Sequence, residues 1–300
     1  LTSLLSRTIG LKGFWRCTDM YNMLPPIKRD GGKHYMIKHL LKYIPSHIIY
    51  VEVFGGAGHL LFAKRPSEIE VFNDLDSNVY IFYKVVRERM AELVDKINWS
   101  PFSRDEYDFD KAHLYDENVD EVEKARRFFM VTKMEGVAGF NTSIRANSET
   151  KYVVAYLRNA VERFEMIRER LKYVSIEHKD FREIIRLYDS KDTFFYLDPP
   201  YIINTRLSRS KMYKHEMSNE DHKDLVNMLL RVKGKCLLSG YDNEIYRTLE
   251  HNGWHTSSFT VRESRNNLNN GSNVHKYVTE KIWYNYEVSL FDDVSLFDNE

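Results

Sequence analysis

The chain has 300 residues, 43% of them hydrophobic, with 44 basic and 44 acidic side chains and hence no formal net charge. That length suits one large α/β domain or a domain carrying an insert, and the composition is that of a globular protein. No run approaches the roughly 18 uninterrupted apolar residues of a membrane helix. The only cysteines, Cys17 and Cys236, lie far apart, which excludes a disulfide framework and fits a reducing compartment.

Residues 1–22 show no periodic structure and no signal-peptide layout, so they are expected to be an N-terminal extension outside the fold, with Met20 or Met23 an alternative start. After "GGKHY", Ile37, Leu40, Leu41 and Ile44 recur at helical spacing and stop at Pro45. "HIIYVEVF" (47–54) reads as a buried strand, followed by the glycine turn "GGAG" and a short helix, "HLLFAKR". "EIEVFND" (68–74) is a second strand, and Val79, Phe82, Tyr83, Val86 and Met90 then share one helical face. Strand, glycine turn, helix, strand is the opening of a doubly wound α/β sheet.

From 99 to 172 the pattern becomes polar, charged and helical, with a loop-like centre, "GVAGFNTSIRANSETK". This segment is expected to be an inserted helical subdomain. The remaining fold, 23–98 and 173–286, holds further strands at "KYVSIEH", "DTFFYLD" and "KCLLSG" and closing strands at "HTSSFTV" and "YVTEKIWYNY". Ser218 with Asp221 makes a capping box ahead of a helix. The tail 287–300 carries three aspartates and no base, and repeats "VSLFD".

Four features carry chemistry. Gly55, Gly56 and Gly58 allow the backbone to pass close to a ligand where strand meets helix, though a tight turn alone also uses glycine. Asp74, at the tip of the second strand, stands where a nucleoside ribose would be hydrogen-bonded; Asp76 suits a helix N-cap better. "DPPY" (198–201) ends another strand at the same edge. There Asp198 and the Pro199 carbonyl are acceptors for the two hydrogens of an exocyclic amine, and Tyr201 offers a face to stack on its ring. Finally, Arg206, Arg209 and Lys211 follow without an acid between them, a loop suited to phosphate.

Together the motifs resemble those of the DNA adenine-N6 methyltransferases of the DNA adenine methylase family. The family's opening segment stands here as "PPIKRDGGK" (25–33), its glycine turn as "FGGAG" (54–58), its acidic strand tip as "FNDLD" (72–76) and its catalytic motif as "DPPY". "FNTSIR" (140–145), Asp180-Phe181 and "EKIWYNY" (280–286) complete the family's order. The resemblance implies a Rossmann-like sheet with a helical target-recognition insert, S-adenosyl-L-methionine as methyl donor and a flipped adenine of double-stranded DNA as substrate. It implies catalytic roles for Asp198, Pro199, Pro200 and Tyr201. Phe54 and the three glycines would line the methionine part of the cofactor, Asp74 would hold its ribose, and Asp180 and Phe181 its adenine. Lys33 would help to close the site. Arg29 and Asp30 replace the family's usual aromatic and small residue.

Asn141, Arg145 and Arg265 are candidates for base edges. No cysteine stands where a covalent nucleophile would be needed, and no metal-ligand spacing is present. The tail is similar to the peptides that dock on bacterial sliding clamps. A cytoplasmic location is expected, in a bacterium or in the host of a phage. The alternatives are a methyltransferase of RNA or of protein amides, and a DNA-binding regulator without catalysis.

Overall fold

The computed structural model describes residues 23–29, 33, 35–135, 159, 161–202, 214–262 and 277–288. Residues 1–22, Asp30, Asn141, Arg145, Arg206, Arg209, Lys211, Arg265 and the tail beyond 288 lie outside the described residues.

Among the described residues seven strands form one sheet: β1 (Ile49–Glu52), β2 (Ile69–Asn73), β3 (Val174–Glu177), β4 (Thr193–Leu197), β5 (Lys235–Gly240), β6 (His255–Arg262) and β7 (Tyr277–Tyr284). Their spatial order is β3-β2-β1-β4-β5-β7-β6. The first five are parallel, and β7 enters antiparallel between β5 and β6. The order reverses between β1 and β4, the switch point where ligands bind in such sheets. Parallel strands must be covered on both faces, which explains why β4 reads as a continuous apolar run and is buried at every position.

The pleat divides that run between two cores. Phe194 and Tyr196 face one layer with Tyr50, Phe72 and Leu237, while Phe195 and Leu197 face the other with Val51, Val71 and Leu238. The first layer is covered by α1 (Ile37–Leu40), α2 (His59–Ala63) and α3 (Ser77–Glu88). It continues through α4 (Met90–Trp99), α5 (Arg104–Ala112), α6 (Glu121–Glu135) and α7 (Phe164–Leu171). On the second face lie α8 (Phe181–Tyr188), α9 (Asn219–Leu229) and α10 (Glu244–His251).

The helices of the polar stretch share the main core. Phe82 of α3 stacks on Phe129 of α6 and meets Phe128 and Phe164 edge-on, all with ring centroids 6.0 Å apart. One expectation shifts. Met90 does not continue the α3 face, because Arg89 (φ −133°, ψ 34°) leaves helical geometry and Met90 opens α4. The capping signals hold. Asp76 N-caps α3 by accepting from the Asn78 amide, and Ser218 with Asp221 closes the reciprocal box on α9.

Across the far end of β2 from the ligand edge, Glu70 is buried between Lys64 (2.5 Å) and the guanidinium of Arg170. This pair of cations on one carboxylate staples α2, β2 and α7 together.

Candidate active site

Because β1, β2 and β4 run in one direction, their C-terminal tips open on one edge. A cavity of about 360 Å³ lies there, lined by the glycine turn, Asp74, Asp180, Phe181 and the Asp198–Tyr201 segment. Of the described cofactor and catalytic residues expected from the sequence, all but Gly58, which stands behind the turn, line this one space, Lys33 and Phe54 included.

The glycine turn is built by its own hydrogen bonds. The Gly55 amide donates to the Asn73 carbonyl and the Gly58 amide to the Gly55 carbonyl, each at 2.7 Å. Gly56 and Gly58 sit at φ +53° and +73°, left-handed values that cost other residues about 1–2 kcal/mol. Above Gly56 no atom lies within 4 Å of where a Cβ would stand, so a ligand can approach the backbone there.

Asp74 braces this turn. Its Oδ2 accepts the Gly56 amide and its Oδ1 the Asp76 amide, both at 2.7 Å. Burial pushes its carboxyl up, while the Arg29 guanidinium and those two amides act against the rise. Arg29 itself pairs with Asp76 at 3.0 Å and lies 5.7 Å over the Phe128 ring, so the residue in the aromatic's usual place packs back onto the protein through charge.

Two further residues organise the edge, and sequence reasoning passed over both. Asn73 donates to the carbonyls of Val53 and Lys179 and accepts the Lys179 amide at 2.9 Å, which fixes the segment carrying Asp180 and Phe181 beside β1. Asp180 N-caps α8 through the Arg182 amide, and the ring of Phe181 lies 5.8 Å from that of Phe54. Glu52 accepts the Tyr50 hydroxyl at 2.6 Å and the Leu61 amide at 3.0 Å, which ties α2 to β1 behind the turn. The only sequence signal for either Asn73 or Glu52 is a polar residue in an otherwise apolar strand.

At the tip of β4, Asp198 Oδ1 accepts Lys33 Nζ at 2.8 Å and the Ser239 hydroxyl at 2.9 Å. Burial pushes the Asp198 carboxyl up and Lys33 pulls it back, leaving a better proton acceptor than an ordinary carboxylate. The Lys33 ammonium also lies 4.4 Å over the Tyr201 ring. The Tyr201 hydroxyl donates to Glu280 of β7, and its ring meets Tyr241 edge-on at 4.5 Å. Lys33, named from the sequence only as a closing residue, is thus the direct partner of the first residue of the "DPPY" motif.

Burial pushes Glu52 up to about 8. Its proton therefore stabilises the native state fully below about pH 4.5, and that stability is lost as pH rises through about 8. Glu52→Gln keeps an acceptor for Tyr50 and Leu61 without the titration. Between about pH 5 and pH 9 the melting temperature of the parent should fall by about 6 °C more than that of the variant. Equal slopes in differential scanning calorimetry would remove Glu52 as the source.

The glycine turn that leaves space above Gly56, the braced acid at the neighbouring tip and the two facing aromatic rings fit a nucleoside-bearing methyl donor. The sequence model of the D12 class N6 adenine-specific DNA methyltransferases matches residues 30–265. The chain belongs to that family. It is an adenine-specific DNA methyltransferase, and its donor is of the S-adenosylmethionine type. Type II methyltransferase M1.LlaDCHI of Lactococcus lactis subsp. cremoris is 29% identical over 229 residues, which cover 71% of this chain and 78% of that protein. Type II methyltransferase M.MjaIII of Methanocaldococcus jannaschii is 24% identical over 224 residues, covering 66% of this chain and 76% of its own length. Among the described residues, no helix is long and apolar enough to cross a membrane.

Proposed function

We propose that this edge binds S-adenosyl-L-methionine and receives an adenine flipped out of double-stranded DNA at one specific site. Asp198, Pro199, Pro200 and Tyr201 are the residues that serve the transfer. The observation that carries this reading is the place of the Lys33 ammonium, 2.8 Å from Asp198 Oδ1 and 4.4 Å above the Tyr201 ring. A nitrogen bearing N–H bonds fits between that carboxylate and that ring, as the exocyclic amine of a stacked adenine requires.

The amine of adenine is a weak nucleophile because its lone pair is delocalised into the ring. Hydrogen bonds from its two hydrogens to Asp198 and to the Pro199 carbonyl draw that lone pair out of conjugation and aim it. Tyr201 holds the ring plane, and Pro200 keeps the turn rigid and carries no amide hydrogen that would compete for the acceptors. S-adenosylmethionine, when bound, supplies a methyl group on an electron-poor sulfonium. The protein contributes alignment and charge, with no covalent enzyme intermediate.

Phe54, Gly55, Gly56 and Gly58 line the methionine side, Asp74 accepts the ribose hydroxyls, and Asp180 with Phe181 flanks the adenine of the donor. Extraction of the target base costs a few kcal/mol, which phosphate contacts from Arg206, Arg209 and Lys211 offset. In this reading residues 99–172 recognise the target, with Asn141 and Arg145 at base edges and Arg265 joining them from the late loop. Residues 23–98 and 173–286 form the catalytic domain, and the tail 287–300 is a candidate ligand of a sliding clamp. Location in the cytoplasm, where DNA and donor meet, belongs to the same reading.

Expression in a methylation-free host followed by sequencing of its DNA tests the function. N6-methyladenine at one short recurring sequence is expected. DNA free of methyladenine, together with no tritiated methyl transfer to it by the purified protein, would overturn the reading.

A further inference from the structure

β7 carries an acid where an apolar residue would cost less. Glu280 is 1% exposed, on a strand that also places Ile282 and Trp283 in the core. A buried carboxylate persists only where its oxygens are satisfied, and replacing such groups by apolar ones is often stabilising. Glu280 is satisfied in a particular way. Its Oε1 accepts the Tyr35 hydroxyl at 2.7 Å, and its Oε2 accepts the hydroxyl of Tyr201. Burial and the neighbouring carboxylates push both phenols far up, so each remains an O–H donor.

These two bonds reach different parts of the site. Tyr201 is the last residue of the "DPPY" segment; its ring is held at one edge by Tyr241 and at its hydroxyl by Glu280. Together the bond at the hydroxyl and the T-shaped contact with Tyr241 restrain the orientation of the ring. Tyr35 lies two residues after Lys33, whose ammonium contacts Asp198. One carboxylate on β7 therefore anchors both the tyrosine and the segment that bears the lysine.

We infer that Glu280 is a positioning residue for methyl transfer: by accepting from Tyr35 and Tyr201 it sets the plane of the Tyr201 ring and the depth of the Lys33 segment. It touches neither substrate nor donor. Its effect runs through Tyr201, and the inference rests on the reading that Tyr201 stacks on the flipped adenine.

The test is a double-mutant cycle on the full chain with Glu280→Ala, Tyr201→Phe and their combination, using DNA that carries the site found by sequencing. Glu280→Ala should lower kcat by about 10- to 100-fold with the KM for the methyl donor within about twofold, as expected when a contact near the reacting atoms loosens. The double variant should be no slower than Glu280→Ala, because Tyr201→Phe removes the same bond. Glu280→Gln, which keeps a carbonyl acceptor, should recover at least half of the loss on a logarithmic scale. With 2-aminopurine at the target position, the parent should quench the flipped base against Tyr201, and Glu280→Ala should leave it brighter.

Losses that multiply in the double variant, or unchanged 2-aminopurine emission, would overturn the role of Glu280. If Glu280→Ala does not fold, Glu280→Leu, which removes the acceptor but keeps the volume, completes the same cycle with Tyr201→Phe. A parent that methylates no adenine and leaves 2-aminopurine unquenched sinks the stacking reading itself, before any variant is compared.

Discussion

Asp198→Ala is expected to lower the single-turnover rate of methyl transfer by about a thousandfold or more, while the affinities for methyl donor and DNA stay within a few-fold. In the proposed mechanism this carboxylate polarises the adenine amine, and it is held from two sides, by Lys33 at 2.8 Å and by Ser239 at 2.9 Å. Alanine removes the acceptor and leaves the lone pair in the ring. Asp198→Asn keeps the shape but presents either a weaker acceptor or an amide N–H, so it should fall by a similar factor. Binding is nearly spared, because the glycine turn and Asp74 stand on other strands. Rapid-quench measurement with tritiated donor decides the matter; a rate within about tenfold of the parent would mean that the chemistry runs without this group.

The second large effect belongs to the glycine turn. A Cβ on Gly55 would stand 2.3 and 2.4 Å from two ring carbons of Phe72. That ring is 1% exposed and packs edge-on against Tyr83 with centroids 5.1 Å apart, so it has nowhere to move. Gly55→Ala must therefore shift either the turn or the core. A loss of about 2–3 kcal/mol of stability is expected, with methyl-donor affinity reduced by about 100-fold or more as the turn leaves its place. Gly56→Ala is the control: its Cβ would meet nothing within 4 Å, and its cost is the left-handed backbone, about 1 kcal/mol. Thermal melts and titration calorimetry should separate the two variants. Equal melting temperatures would show that Phe72 yields after all.

Much of this architecture was legible in the chain because local rules and the global fold agree. Continuous apolar runs gave β1, β4 and β5, since strands covered on both faces need no alternation. Asp76 and Ser218 read as caps because capping depends only on neighbours in sequence. Asp74 and Asp198 were legible because both end strands, and strand ends of a parallel sheet share an edge. The partners were not. Lys33 finds Asp198, Asn73 finds Lys179, and Glu280 finds Tyr35 and Tyr201 across large stretches of sequence, and no spacing rule connects residues brought together only by the sheet. Arg29 shows the limit from the other side. A residue that breaks the family pattern keeps its place by pairing with Asp76, which the sequence had marked chiefly as a cap.

The position of β7 has a consequence for how the enzyme comes into being. Among the described residues it is the last strand in sequence, yet it lies inside the sheet, between β5 and β6. A chain emerging from the ribosome can assemble the five parallel strands first, since domains form from the N-terminal side during synthesis. Until residues 277–284 appear, β5 remains an open edge with unpaired backbone groups. Asp198 is already in the chain at that stage, but Tyr201 lacks the carboxylate that holds it. The final strand thus completes the sheet and anchors Tyr201 in one step, and a prematurely terminated chain would lack the carboxylate that holds that ring.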